Sequence, residues 1–123
     1  MYNVLVCDDE KDIVSALQIY LKSEGYQVFS AYNGKEALKI INREDIQLVL
    51  MDIMMPVMDG LEATREIRTM NRSDASAVVI IAMTANAFTE DKTKALKSGM
   101  DDYLTKPLES EKLIRALSRY KHN

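Results

Sequence analysis

Apolar residues run continuously, without alternation, through four short stretches of the chain: Val4-Leu5-Val6-Cys7, Leu48-Val49-Leu50-Met51, Val78-Val79-Ile80-Ile81-Ala82-Met83 and a weaker Tyr103-Leu104. Continuous apolarity predicts strands covered on both faces, as in a parallel sheet. A fifth stretch, Val28-Phe29-Ser30-Ala31, is less apolar and suits a more exposed strand. Between these runs the period becomes helical. Ile13, Val14, Leu17, Tyr20 and Leu21 form one stripe, with Gly25 placed as its C-terminal cap. Ala37, Leu38 and Ile41 form a second after the turn pair Asn33-Gly34, and Leu61, Thr64 and Ile67 a third. Thr89 is placed to cap a fourth, with Glu90 and Asp91 in its first turn, Lys97 in its last and Gly99 beyond. Leu113, Ile114, Leu117 and Tyr120 form the fifth. Strand followed by helix, five times over, predicts an α/β fold whose parallel sheet lies between helices joined by right-handed crossovers. With 123 residues and no repeat or linker-like tract, one domain over residues 1–123 is expected.

The polar residues of chemical interest each follow one of the apolar runs. Asp8, Asp9 and Glu10 follow the first, Asp52 the one ending in Met51, Thr84 the one ending in Met83, and Lys106-Pro107 the last. In an open parallel sheet the carboxyl ends of the strands share one edge, and ligands bind there where the strand order switches. If the first and third strands are neighbours, Asp8, Asp9 and Asp52 converge, and carboxylates so placed repel one another unless a cation intervenes. A hard divalent ion suits them: Mg²⁺ takes a few carboxylates, waters and a phosphate oxygen. Lys106 adds a mobile positive charge and Thr84 a hydroxyl donor. The set describes a device for forming and holding a phosphoryl group, with Asp52 as nucleophile.

Taken singly, each feature has a plainer reading. Acids favour the first turn of a helix, Asp52 can be a turn residue, Thr84 a helix cap and Lys106-Pro107 a surface turn. Their joint placement at one sheet edge decides for the chemistry. Cys7 reads as a small core hydrophobe. The eight methionines, including Met51, Met54, Met55 and Met58, read as core filling and loop contacts, and His122, the only histidine, as a solvated tail residue.

Composition narrows the function classes. Hydrophobic residues at 47% and charged residues at 28% describe an ordinary globular protein, which excludes disorder, collagen and coiled coil. No apolar run approaches the roughly 20 residues that cross a bilayer, and Met1 to Cys7 lacks the basic start of a signal peptide, so no membrane association is expected. The net charge of −3 gives no chain-wide attraction to nucleic acid. A single cysteine makes no internal disulfide, which fits the cytoplasm.

The segments Val6-Cys7-Asp8-Asp9-Glu10, Met51-Asp52-Ile53-Met54-Met55-Pro56-Val57-Met58-Asp59-Gly60, Met83-Thr84-Ala85-Asn86-Ala87 and Asp101-Asp102-Tyr103-Leu104-Thr105-Lys106-Pro107 resemble the signatures of receiver domains of two-component response regulators, in order and over essentially the whole chain. The resemblance implies a single-domain, flavodoxin-like (βα)5 fold with a doubly wound parallel five-stranded sheet in the order 2-1-3-4-5. It implies Asp52 as phosphoacceptor, Asp8 and Asp9 as metal-binding acids, and the backbone carbonyl of Met54 as the completion of a Mg²⁺ site that Mn²⁺ can also fill. Thr84 and Lys106 match the groups that contact the phosphoryl, Tyr103 the switch aromatic, and Lys106-Pro107 a cis peptide. Met54 and Asn86 are placed to border the path of the water that removes the phosphoryl group. Implied partners are a sensor histidine kinase or phosphotransfer protein upstream and an output partner of unknown identity. That partner would read the face of the fourth helix, fifth strand and fifth helix. The chain would be a monomer or a weak phosphorylation-dependent dimer, reacting with itself and turning over no separate substrate.

Three rivals compete. A flavin-binding electron carrier wants donor-rich loops around its phosphate, and Asp8-Asp9-Glu10 repels one. A phosphatase with an aspartyl intermediate would turn over small phosphate esters. A degenerate receiver that only docks would lack the acid, threonine and lysine set. No output module lies within these residues, so a stand-alone regulator and a receiver belonging to a longer protein both stay open.

Overall fold

The computed structural model describes residues 2–70, 77–85 and 89–120, the side chains of Thr89 and Glu90 excepted. Its elements run β1 (Asn3–Cys7), α1 (Lys11–Ser23), β2 (Gln27–Ala31), α2 (Gly34–Arg43), β3 (Leu48–Asp52), α3 (Gly60–Arg68), β4 (Val79–Thr84), α4 (Thr89–Ser98), β5 (Asp102–Thr105) and α5 (Ser110–Tyr120). The strands form one sheet in the order β2-β1-β3-β4-β5, and every pairing is parallel. That is the expected doubly wound order.

Alternate side chains of the central strands feed opposite layers, as the pleat requires. Leu5, Cys7, Val49, Met51, Ile80 and Ala82 pack with Ala37, Ile41, Ala63, Ile67 and Ala95 from α2, α3 and α4. Val4, Val6, Leu48, Leu50, Ile81 and Met83 pack with Val14, Leu17, Leu21, Leu113 and Leu117 from α1 and α5. Two-sided burial explains the continuous apolar runs: all five residues of β3 are buried. The less apolar β2 occupies an edge, with its middle residues only half-buried. No described helix is long and apolar enough to cross a membrane.

The register sets the functional edge. Cys7 pairs with Ala31 on one side and Met51 on the other, Asp52 with Met83, and Thr84 with Thr105. Strand ends are therefore level, and the residues just past them share one rim.

Asp52 and Thr84, which follow their apolar runs, are themselves the last residues of β3 and β4. Some details differ from the expectations. Thr89 is the first helical residue of α4, not its cap. Asn33 is more than a turn residue: its side chain accepts from the Glu36 N–H at 3.0 Å as the N-cap of α2, while Glu36 Oε1 accepts from the Tyr32 N–H at 2.9 Å. Met54 is no core filler, being 79% exposed. Asn86 and His122 lie outside the described residues.

Candidate functional site

Asp8 immediately follows β1 and Asp52 ends the neighbouring β3, so the sheet itself brings the two carboxylates together. Asp8 is fully buried and Asp52 5% exposed, whereas Asp9 faces solvent. One carboxylate oxygen from each of the three lies within 4.8 Å of the others. Lys106 enters from the loop after β5. Its backbone N–H donates to the Thr84 carbonyl at 2.8 Å, which ties the loop to the end of β4. Its ammonium donates to Asp8 Oδ2 at 2.8 Å and lies 3.4 Å from Asp52 Oδ1. The Lys106–Pro107 bond is cis. Thr84, 6% exposed, stands at the same rim.

Charge is unbalanced here. Burial pushes the Asp52 carboxyl up to about 7, the adjacent Asp8 adds to the rise, and Lys106 draws it partly back. For Lys106, burial alone would lower the ammonium, but its bonds to Asp8 and Asp52 outweigh that and leave it raised. Three carboxylates face one ammonium, and all their donor atoms are oxygen. Such a set fits a hard divalent cation of the Mg²⁺ type. It lacks the thiolate and imidazole donors that softer metals prefer.

The loop after Asp52 is held by close backbone approach. The Gly60 N–H donates to the Ile53 carbonyl at 2.9 Å, and a Cβ on Gly60 would sit 2.2 Å from the Asp52 carbonyl oxygen. Gly34 makes a similar approach to Met58, with a Cβ that would meet its carbonyl oxygen at 2.6 Å. Asp59 caps α3 by accepting from the Glu62 N–H at 2.8 Å. Sequence reasoning misses the part both glycines play around the site, although the pairs Asn33-Gly34 and Asp59-Gly60 carry the signal. Gly60→Ala is expected to destabilise the fold by about 1–3 kcal/mol, because the methyl must displace rigid backbone and not a flexible side chain. Urea unfolding reads this out, and an unchanged midpoint would show slack in the loop.

Tyr103 lies on β5 paired with Ala82, half-buried, and Lys92 of α4 sets its ammonium 4.6 Å from the ring centroid. No sequence signal points to this contact, since nothing in spacing alone sets Lys92 against a particular ring. Cys7 is buried beside the acids, where burial and then Asp8 push its thiol pKa up, so it is no nucleophile. The chain thus gathers Asp8, Asp9, Asp52 and Lys106 into direct proximity, with Thr84 at the same rim and Tyr103 on the outer strand.

The geometry matches known proteins. The family model for the response regulator receiver domain matches residues 4–118. The Vibrio cholerae chemotaxis protein CheY4 is similar at 30% identity and a TM-score of 0.92, over 98% of this chain and 99% of that one. The receiver domain of a Pseudomonas aeruginosa sensor histidine kinase, with a magnesium ion coordinated in its active-site cleft, is similar at 37% identity and a TM-score of 0.88, covering 97% and 96% of the two chains. A Saccharomyces cerevisiae complex of a histidine phosphotransfer signalling protein with the receiver domain of its downstream response regulator supplies a third match. It has 32% identity and a TM-score of 0.88, covering 97% and 88%.

Proposed function

This chain belongs to the response regulator receiver domain family, and on that premise we propose that it is a phosphorylation-controlled switch whose phosphoacceptor is Asp52. The observation that carries the reading is the Lys106 ammonium bridging the buried Asp8 and Asp52 carboxylates beside the exposed Asp9. In the transfer, a carboxylate oxygen of Asp52 attacks the phosphorus, the P–N bond to a partner's phosphohistidine breaks, and the histidine nitrogen keeps the electron pair. Asp8, Asp9 and Asp52, with the Met54 carbonyl, would hold Mg²⁺. When bound, the ion supplies charge neutralisation at the phosphoryl oxygens. Lys106, held against Asp8 and Asp52, would add a second positive charge to neutralise the phosphoryl, and Thr84 would donate its hydroxyl to it. The upstream partner is a histidine kinase or phosphotransfer protein, in keeping with the yeast complex. Because the chain modifies itself once, it is a switch and not a turnover enzyme. Intact mass spectrometry after treatment with a small acyl phosphate tests this directly. One phosphoryl group is expected with Mg²⁺ or Mn²⁺ and none with a chelator; no label under either condition would overturn the reading.

Output would pass through Thr84 and Tyr103. Phosphorylation adds about −1.5 to −2 charge and three acceptor oxygens. Thr84 turning toward them frees space for the Tyr103 ring, which remodels the α4-β5-α5 face. Beryllofluoride with Mg²⁺ is expected to shift amide resonances across α4, β5 and α5; shifts confined to the acid pocket would count against the relay.

Signal lifetime is proposed to depend on Met54, two residues past Asp52. Hydrolysis needs a water in line with the phosphorus, and a thioether cannot hold that water as an acid or amide does. Met54→Glu or Met54→Asn is therefore expected to hasten loss of the phosphoryl group severalfold after the donor is removed. An unchanged or slower decay would refute the shielding role.

A further inference from the structure

Methionines are distributed unevenly over this molecule. Met51 and Met83 are fully buried, Met100 is 4% exposed, and Met55, Met58 and Met70 are half-buried. Met54 alone among the described methionines is open to solvent, at 79% exposure, and it sits on the loop that leaves Asp52. The one cysteine offers no competing target, because Cys7 is buried with a thiol held protonated. Among the described residues, a dissolved oxidant meeting this surface therefore finds Met54 far more open than any other methionine, two residues past the phosphoacceptor.

We propose that Met54 is an oxidative modification site for hydroperoxides, and that its sulfoxide shortens the life of the phosphorylated state. The proposal rests on the reading of Asp52 as phosphoacceptor. In the modification, the thioether sulfur gives an electron pair to one peroxide oxygen and the S–O bond forms. The O–O bond breaks, and the departing hydroxide takes the proton from the oxygen now on sulfur, leaving the sulfoxide and water; sulfur is oxidised and peroxide reduced. The product replaces an apolar, weakly accepting group with a strong hydrogen-bond acceptor. On the loop that leaves Asp52, the thioether cannot hold a water, whereas the sulfoxide oxygen can. Peroxide would then erase the signal faster, and methionine sulfoxide reductases would restore it.

The test uses the whole chain with dilute hydrogen peroxide. Peptide mass spectrometry is expected to find oxygen added first at Met54, with Met51 and Met83 unmodified in the folded protein. After acyl phosphate labelling with Mg²⁺ and removal of the donor, the oxidised protein should lose its phosphoryl group about fivefold faster, the scale of one added hydrogen bond. Reductase treatment should return the slow rate, and Met54→Leu should decay at one rate with or without peroxide. Oxidation spread evenly over the methionines overturns the site. Equal decay of oxidised and unoxidised protein, with normal labelling, overturns the lifetime effect alone. Absence of label on unoxidised protein overturns the phosphoacceptor reading, and the lifetime effect with it.

Discussion

Asp52→Asn is expected to abolish labelling by any phosphodonor while leaving the fold intact. The amide is close to isosteric with the carboxylate, and the side chain is only 8% exposed within a strand paired on both sides, so no new space is opened. What is lost is the nucleophile, because an amide oxygen carries no charge with which to attack phosphorus. Neither Asp8 nor Asp9 is expected to take over. Asp8 is committed to the Lys106 ammonium at 2.8 Å and fully buried, and Asp9 lies outside the strand that presents Asp52. Intact mass spectrometry of wild type and variant, both with Mg²⁺, decides the matter. Undiminished label on Asp52→Asn would move the phosphoacceptor elsewhere, and peptide mapping would say where.

The parts of this site differ in how far the amino-acid sequence alone reveals them. Asp8 and Asp52 are legible because each terminates an apolar run, and a parallel sheet must bring such ends to one edge. The strand order itself comes from the family resemblance, since continuous apolar runs say which strands are covered but not which are adjacent. β2 reveals its edge position through Ser30 and its weaker apolarity. Glycine contacts are harder to read. Gly60 looks like an ordinary turn residue, and only packing shows that its missing Cβ is what lets α3 start against the Asp52 carbonyl. Val57 is a further case: a β-branched residue at φ +68, which no local preference would assign and which the loop after β3 imposes. The exposure of Met54 is illegible although its position two residues after Asp52 is plain, because an apolar residue in a loop carries no periodicity to say which way it faces. The Lys92 contact with Tyr103 is tertiary and has no sequence signature.

Removing the Asp52 charge is also expected to stabilise the metal-free protein. The Asp52 carboxyl rises from an ordinary 3.8 to about 7, through burial first and Asp8 second. An acid whose pKa is higher folded than unfolded lets the folded state hold more protons, so its contribution to stability is full below about pH 4 and is lost as pH rises through about 7. At pH 8 the folded protein therefore keeps an ionised Asp52 beside Asp8 and Asp9, with Lys106 as the only cation placed against it among the described residues. A tenfold change in proton affinity corresponds to about 1.4 kcal/mol, and part of the gain from removing the charge is forfeited because Lys106 loses one of its two partners. Asp52→Asn is expected to be about 1–3 kcal/mol more stable than wild type at pH 8 in chelator, and nearly equal at pH 4. Mg²⁺ should narrow the gap by stabilising wild type through mass action while adding little to the variant, which has lost one of the carboxylates. Urea unfolding at the two pH values, with and without Mg²⁺, measures all three effects. A variant less stable than wild type at pH 8 without metal would mean that the attraction between Asp52 and Lys106 outweighs the repulsion from Asp8, and the acid pocket would then be held together by its own ion pairs instead of poised for a cation.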